Sequence, residues 1–430
     1  MLTKPITTRF LISISILAWI GDFCNSILDV LYIFYTVELG FAPGPIGLIS
    51  STYGISYVIG AIIFGRLIDK LPHKTSLLIA TGGQVVISSS YIFLIIFSTH
   101  LPNILLWILA GQVIRALVYS FFWPTIEMLY SEIAQGNKRL HERFISIFCI
   151  SWSLGAAMGT SFAGIFGEWL ILGGFISTTL IYGIGFLIVF FGINSNINSG
   201  ADYSAADNLS NHHPKSSFMQ DGDSDKSENS SSRVIWLTLT GTLVFAIISK
   251  GLLAYVPNYA VIPEGLGLSN LISGQIIFAF GIGRFLGFLV GQWIPNSFHK
   301  LIQNISIIGI FMIAMAFTKN SWLLVGELLI VGYFAGRVYY IGLEMLMKYV
   351  SHGKGSKASL FESIVGLGTV FSPFIAGWLA ELNVIIPFFF FSIMAGLSAL
   401  YLRLRGKSLI KSEIHLKQKN ISNFREKNNT

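Results

Sequence analysis

Gly65-Arg66-Leu67-Ile68-Asp69-Lys70-Leu71-Pro72-His73-Lys74 is a short charged turn wedged between two apolar runs. A glycine at the edge of such a run lets two helices approach closely. An aspartate there can face the positive end of a helix N-terminus, and the cations that follow can anchor the turn at a cytoplasmic membrane surface. The surrounding composition decides between a membrane and a soluble setting. The chain has 430 residues, of which 11% are charged and 53% hydrophobic. A soluble domain carries about 25% charged residues. The mean hydropathy of +0.68 points the same way and excludes an ordinary soluble enzyme.

A hydrocarbon core of about 30 Å takes roughly 20 apolar residues per helix. Runs of that kind fall near 9–36, 45–66, 75–98, 102–130, 145–167 and 170–193, then near 234–259, 270–294, 301–318, 321–349, 358–380 and 383–403. Six and six predict an all-α membrane protein of twelve transmembrane helices in two six-helix bundles. The bundles are 1–193 and 234–403, joined by a polar, disordered linker at 194–233 and followed by a basic tail at 404–430. Lys4 and Arg9 precede the first run as they would in a signal peptide, but the run continues to about Tyr35, too long for one. Most of the 28 lysines and arginines lie in the N-terminus, the even-numbered loops and the tail. Lys319 alone lies in an odd-numbered loop. That asymmetry predicts a multi-pass protein of the plasma membrane with both termini cytoplasmic. The net charge of +7 is therefore a topology signal, and no nucleic-acid partner is expected. Cys24 and Cys149 sit inside apolar runs as small fillers. Asp221 to Lys226 starts like a calcium loop but lacks its glycine and closing glutamate, and His212-His213 reads as a solvated pair, so no metal is expected.

The two halves echo each other. Gly155, Ala163, Gly164 and Glu168 of the fifth run recur as Gly368, Ala376, Gly377 and Glu381 of the eleventh. Glu127-Met128-Leu129 recurs as Glu344-Met345-Leu346. Gly65, Ile68, His73 and Lys74 recur as Gly291, Ile294, His299 and Lys300. Six-helix repeats with both termini on one side are parallel repeats, related by an axis along the membrane normal.

With the repeat in place, the opening turn resembles the loop 2–3 motif of the major facilitator superfamily, Gly-x-Leu-x-Asp-Arg/Lys-x-Gly-Arg/Lys-Arg/Lys. Gly65, Leu67, Asp69, Lys70 and Lys74 match, whereas Pro72 and His73 depart from it. The fifth run, Gly155-x3-Gly159-Thr160-x2-Ala163-Gly164, is similar to the antiporter motif of that family, with Thr160 where the motif has proline. Arg115 resembles a mid-depth arginine that the family uses in proton coupling, although Val118 and Tyr119 stand where glycines usually follow. The resemblance covers the chain apart from linker and tail. It implies a monomeric secondary transporter in a lipid bilayer that binds a small-molecule substrate, exchanges protons and needs no cofactor.

An ionised side chain at mid-membrane costs about 2.5–3.5 kcal/mol, so each one calls for a reason. Asp22, Asn25, Asp29 and Tyr32 share one face of the first run, as spacings of three, four and seven require. Arg115 and Tyr119 lie in the fourth run, Lys250 in the seventh and Arg284 in the eighth. Tyr333, Arg337, Tyr340 and Glu344 form a stripe in the tenth, with Glu327 nearer its outer end. These groups, except Glu344, are the expected substrate- or proton-binding set. The near balance of deep acids and cations suits a cavity whose charges pair when it is empty. Gly155, Gly159, Gly164, Gly368, Pro373 and Gly377 are expected to serve helix packing. Because Pro295 and Asn296 replace the Asp69-Lys70 pair in the second repeat, a one-sided cytoplasmic gate is expected at Gly65, Asp69, Lys70 and Lys74, with Glu127 or Glu132 as the partner of Lys70.

Two transport readings follow. The acidic stripe, the aromatics and the antiporter-like fifth run fit proton-coupled efflux of an amphipathic or cationic compound. Arg115, Lys250, Arg284 and Arg337 fit uptake of an anionic metabolite, a sugar acid or other organic anion. A transporter-like sensor or scaffold is the reading from another class. No serine–histidine–acid set, histidine-rich helix or nucleotide loop supports an enzyme.

Overall fold

The computed structural model describes residues 8–68, 70–133, 138–193, 224–291, 293–294, 296–349 and 354–407. Among them the fold is all-helical. The helices are α1 (Thr8–Glu38), α2 (Pro43–Ile68), α3 (His73–Ile96), α4 (Ile104–Tyr119), α5 (Phe122–Ile133), α6 (Lys138–Trp169) and α7 (Ile171–Gly192) in the first half. The second half has α8 (Ser224–Val261), α9 (Asn270–Gly291), α10 (Phe298–Phe317), α11 (Ser321–Tyr349), α12 (Lys354–Leu382) and α13 (Ile386–Arg405). They contain twelve stretches long and apolar enough to cross a membrane, from Phe10–Glu38 to Ile386–Arg405. Large apolar side chains face outward along the bundle, among them Val86, Phe191, Ile310 and Leu382. Water would not tolerate so continuous an apolar surface, and lipid does. Trp169, Trp293 and Trp322 stand exposed near helix ends, the depth at which indole rings settle in a membrane interface.

Two expectations change. The fourth crossing is two helices, α4 and α5, parted at Ser120 and Phe121. Pro124 lacks the N–H that would bond the Ser120 carbonyl, and its ring crowds that carbonyl, which favours a break one turn before it. Residues 224–233, expected in the linker, are instead the first turns of α8. Once an apolar segment nucleates a helix, adding polar residues free of Gly and Pro costs little. The rest of the linker, 194–223, and the tail from 408 onward lie outside the described residues.

Each half places its second and fifth crossings against the other half. The main contacts between halves are α6 with α9 and α2 with α12. The recurring glycines explain this. A Cβ on Gly164 would lie 2.8 Å from the Gly274 Cα, and one on Gly377 would lie 3.1 Å from the Gly47 Cα. Gly155 and Gly159 press on the backbone of α1 at Trp19 and Phe23, and Gly368 presses on α8 at Ala246. Small residues thus let backbones touch where no hydrophobic force drives helices together in lipid. Pro373 lies within α12, and its carbonyl meets Gly47.

The repeated glutamates finish the seam. Glu381 Oε1 accepts from Gly44 N–H at 3.0 Å, and Glu168 Oε2 accepts from Leu271 N–H at 3.2 Å. Each carboxylate therefore sits on the N-terminus of a helix in the opposite half, where unpaired N–H groups and the helix dipole favour negative charge. Both contacts lie on the face opposite the chain termini, and the halves meet backbone to backbone there.

Candidate functional site

Between the halves lies a cavity walled by α1, α2, α4, α5 and α6 on one side and by α8, α9, α11 and α12 on the other. It extends from Asp29 toward Glu127 and Phe148, which lie closer to the terminal face. A smaller recess continues from Asp29, Tyr53 and Lys250 past Tyr32 toward Pro373.

Asp22 and Asp29 both line the cavity, as their two-turn spacing on α1 dictates. Their surroundings differ. Asp29 Oδ1 pairs with Arg115 Nη2 at 2.8 Å. Arg115 is fully buried and Asp29 is 41% exposed. Arg115 also donates to the Asn25 carbonyl at 3.1 Å, to Asn25 Oδ1, and through Nη1 to Gln112 Oε1 at 3.1 Å. Its guanidinium lies over the Tyr53 ring, 4.7 Å from the centroid, and Tyr53 OH donates to Asn25 Oδ1. Asn25 Nδ2 donates to Asp29 Oδ2 at 3.1 Å, while Gln84 Nε2 donates to the Arg115 carbonyl. The result is a hydrogen-bonded lattice tying α1, α2, α3 and α4 together, with the charge of Arg115 neutralised inside it.

Asp22 is outside that lattice. It accepts one hydrogen bond, from Tyr119 OH at 3.4 Å, and has no ion pair among the described residues. The cations whose fields reach it most strongly are Lys250 of α8 and Arg284 of α9, on the opposite wall. Arg284 donates through Nε to Ser153 Oγ at 3.2 Å and lies 4.6 Å from the Trp152 ring centroid, so α6 aims it into the cavity across the seam. Lys250 lines both the cavity and the recess. Acids from the first half therefore face cations from the second.

The remaining expected site residues separate. Tyr32 reaches the recess and packs edge-on against Tyr91 and Phe175. Tyr340 is buried and exchanges a hydrogen bond with Ser146 across the seam at 3.3 Å. Glu327 is buried away from the cavity, accepting from Thr318 Oγ1 at 3.0 Å. Tyr333 and Arg337 line a different pocket at the terminal edge of the second half. The α11 stripe is thus divided: a helix buried on several sides gives each face of a polar stripe its own neighbours.

Asp69 lies outside the described residues, as does the side chain of Glu132. Lys70 is exposed, and Lys74 lies 5.5 Å from the Phe190 ring centroid of α7. Glu127 is part of the cavity wall, and Gly65 opens onto free space.

Sequence reading missed the aromatic lining: Tyr53, Tyr57, Trp123, Trp152, Phe245 and Tyr339. The available signal was weak. Tyr53 and Tyr57 stand four residues apart on one helix face, but that spacing does not say what the face meets.

Residues 14–317 of the 430 match the sequence profile of the Major Facilitator Superfamily. No curated protein sequence matches the chain. Among solved structures, the chain is similar to a point mutant of the peptide transporter POT, with a TM-score of 0.69 and 14% identity, covering 93% of this chain and 94% of that one. It is also similar to the nucleoside transporter NupG, with a TM-score of 0.64, 15% identity and coverage of 93% and 99%. A third similar structure is a POT family transporter in complex with a thioalcohol-conjugated peptide, with a TM-score of 0.67, 14% identity and coverage of 93% and 96%. At these identities the likeness is one of fold. The family match over most of the chain, the twelve membrane-length helices and the two-halved architecture agree: this is a multi-pass membrane protein of the major facilitator superfamily, a family of transporters that bind small-molecule substrates within the lipid bilayer.

Proposed function

We propose that this protein is a proton-coupled antiporter that expels a small amphipathic solute bearing a cationic group. One observation carries the reading: Asp22 faces the inter-domain cavity with a single tyrosine hydrogen bond and no ion pair among the described residues, opposite Lys250 and Arg284. A carboxylate open to cavity water can exchange a proton. It can also bind an ammonium, but not both at once, and two ligands competing for one group are exchanged rather than carried together. Asp29 is a poorer candidate, because Arg115 already neutralises it.

The aromatic walls suit the apolar body of such a solute, and their rings add a face for its cation. Lys250 and Arg284 would take an acceptor or anionic end, which favours a substrate carrying both characters over a simple organic anion. The fifth-run motif contributes helix packing, since its glycines touch α1 and α9. Rocking of the halves about the cavity would expose it alternately. The halves meet tightly at the face opposite the termini, and the cation distribution along the sequence supports a cytoplasmic terminal face, so the described state is closed to the outside. With protons driven inward across the plasma membrane, exchange means efflux. The protein moves its solute without converting it.

The test is counter-transport in proteoliposomes with an imposed pH gradient and a panel of amphipathic amines, zwitterions and organic anions. Amine or zwitterion flux should follow the gradient and vanish in Asp22→Asn. Flux of organic anions alone, or gradient-driven flux that survives in Asp22→Asn, refutes the reading.

A further inference from the structure

A second pocket lies well away from the central cavity, at the terminal edge of the second half, walled by α10, α11 and the last turn of α13. Its charged lining is His299, Lys300, Arg337 and Arg403, with no Asp or Glu among the lining residues. Arg337 is the unusual member, at only 3% exposed. Its Nη2 donates to Asn296 Oδ1 at 2.6 Å, and Asn296 donates in turn to Glu344, so the guanidinium reaches an acid only through a neutral amide. Its Nη1 is buried with no hydrogen-bond partner among the described residues. That nitrogen packs against Gly291 and does not open into the pocket, so what Arg337 adds to the lining is positive charge that no carboxylate of the lining offsets.

The planar guanidinium fork fits the oxygens of a phosphate group. The rest of the pocket says where such a phosphate would come from. Ile302, Ile307 and Phe334 form an apolar wall beside the cations, and Leu400 and Leu404 of α13 are exposed nearby in sequence to Arg403. A soluble phosphate has no use for that wall, whereas a phospholipid brings an acyl chain to it.

We propose that this pocket binds the headgroup phosphate of an anionic phospholipid from the leaflet at the terminal face, with Arg337 as the inner contact and Lys300 and Arg403 as the outer ones. None of the three lines the central cavity, so lipid occupancy is separable from substrate binding.

The experiment uses full-length protein, delipidated in detergent and titrated by native mass spectrometry. The probes are dioleoyl phosphatidylglycerol, dioleoyl phosphatidylcholine and inorganic phosphate. Phosphatidylglycerol is expected to bind at least about tenfold more tightly than phosphatidylcholine, and inorganic phosphate is expected not to displace it. Each surface cation near an anionic headgroup is worth about fivefold, so Lys300→Gln with Arg403→Gln should weaken phosphatidylglycerol about 25-fold. Arg403→Gln alone, at an exposed position, should weaken it about fivefold and guards against a folding defect in the double variant. Equal binding of the two lipids, unchanged binding in both variants, or displacement by inorganic phosphate each overturns the proposal.

Discussion

Replacing Asp29 by asparagine should destabilise the protein, and adding Arg115→Met should largely restore it. Arg115 is fully buried and its ion pair with Asp29 is 2.8 Å long. Removing one partner of a fully buried pair costs about 3–5 kcal/mol, because the other charge is left stranded. Asp29 is 41% exposed to the cavity, so water already screens part of the attraction. The substituted amide could still hydrogen-bond the guanidinium but could not neutralise it. We expect a loss of about 2 kcal/mol for Asp29→Asn, below the fully buried range. Methionine fills a similar volume to arginine and needs no counter-charge, so Asp29→Asn with Arg115→Met should come within about 1 kcal/mol of wild type. Equilibrium unfolding in mixed micelles, followed by tryptophan fluorescence, gives all corners of the double-mutant cycle. Additive losses in the double variant, or a neutral Asp29→Asn, would refute the idea that the lattice exists to compensate one buried charge.

Other consequences concern the closed seam. Gly164→Val places a Cβ 2.8 Å from the Gly274 Cα, about 1 Å inside ordinary carbon–carbon contact, and backbone cannot yield. It should hold the halves apart, and a cysteine introduced as Leu253→Cys on the cavity wall should then react faster with an impermeant maleimide from the face opposite the termini. Native Cys24 and Cys149 are buried and should contribute little background. Glu168→Gln and Glu381→Gln each remove a charge from a helix N-terminus, about 0.5 kcal/mol at an exposed site. Together they should shift the closed-to-open ratio at that face about fivefold, read as a longer spin-label distance between Leu39→Cys and Leu382→Cys, and high salt should mask the difference.

Much of the fold was legible because lipid imposes one rule, that backbone polar groups be satisfied within a helix, and apolar run length then counts the crossings. The spacing of 213 between Gly155 and Gly368, and between Glu168 and Glu381, also carried three-dimensional content: the two glycines each press on the first helix of their own half, and the two glutamates each cap a helix of the opposite half. The stripe of Asp22, Asn25 and Asp29 was readable for the same reason, since helical spacing fixes a face. What the sequence left open was what that face meets. Nothing in the spacing of Arg115 says that it pairs with Asp29 and leaves Asp22 alone, because the choice depends on how α1 and α4 cross. Tyr333, Arg337 and Tyr340 looked like one surface on α11, but Tyr333 and Arg337 line the terminal pocket while Tyr340 meets Ser146 of α6. The break before Pro124 was available from proline chemistry, yet hydropathy alone passes over it.

The central claim is that Asp22 exchanges a proton for the solute, and a pH-sensitive dye trapped inside proteoliposomes tests it most directly. Liposomes preloaded with the amine and zwitterion panel and diluted into solute-free buffer should acidify inside as solute leaves, with wild type and Arg403→Gln alike and Asp22→Asn silent. Solute release without any internal acidification, or acidification undiminished in Asp22→Asn, would contradict the account.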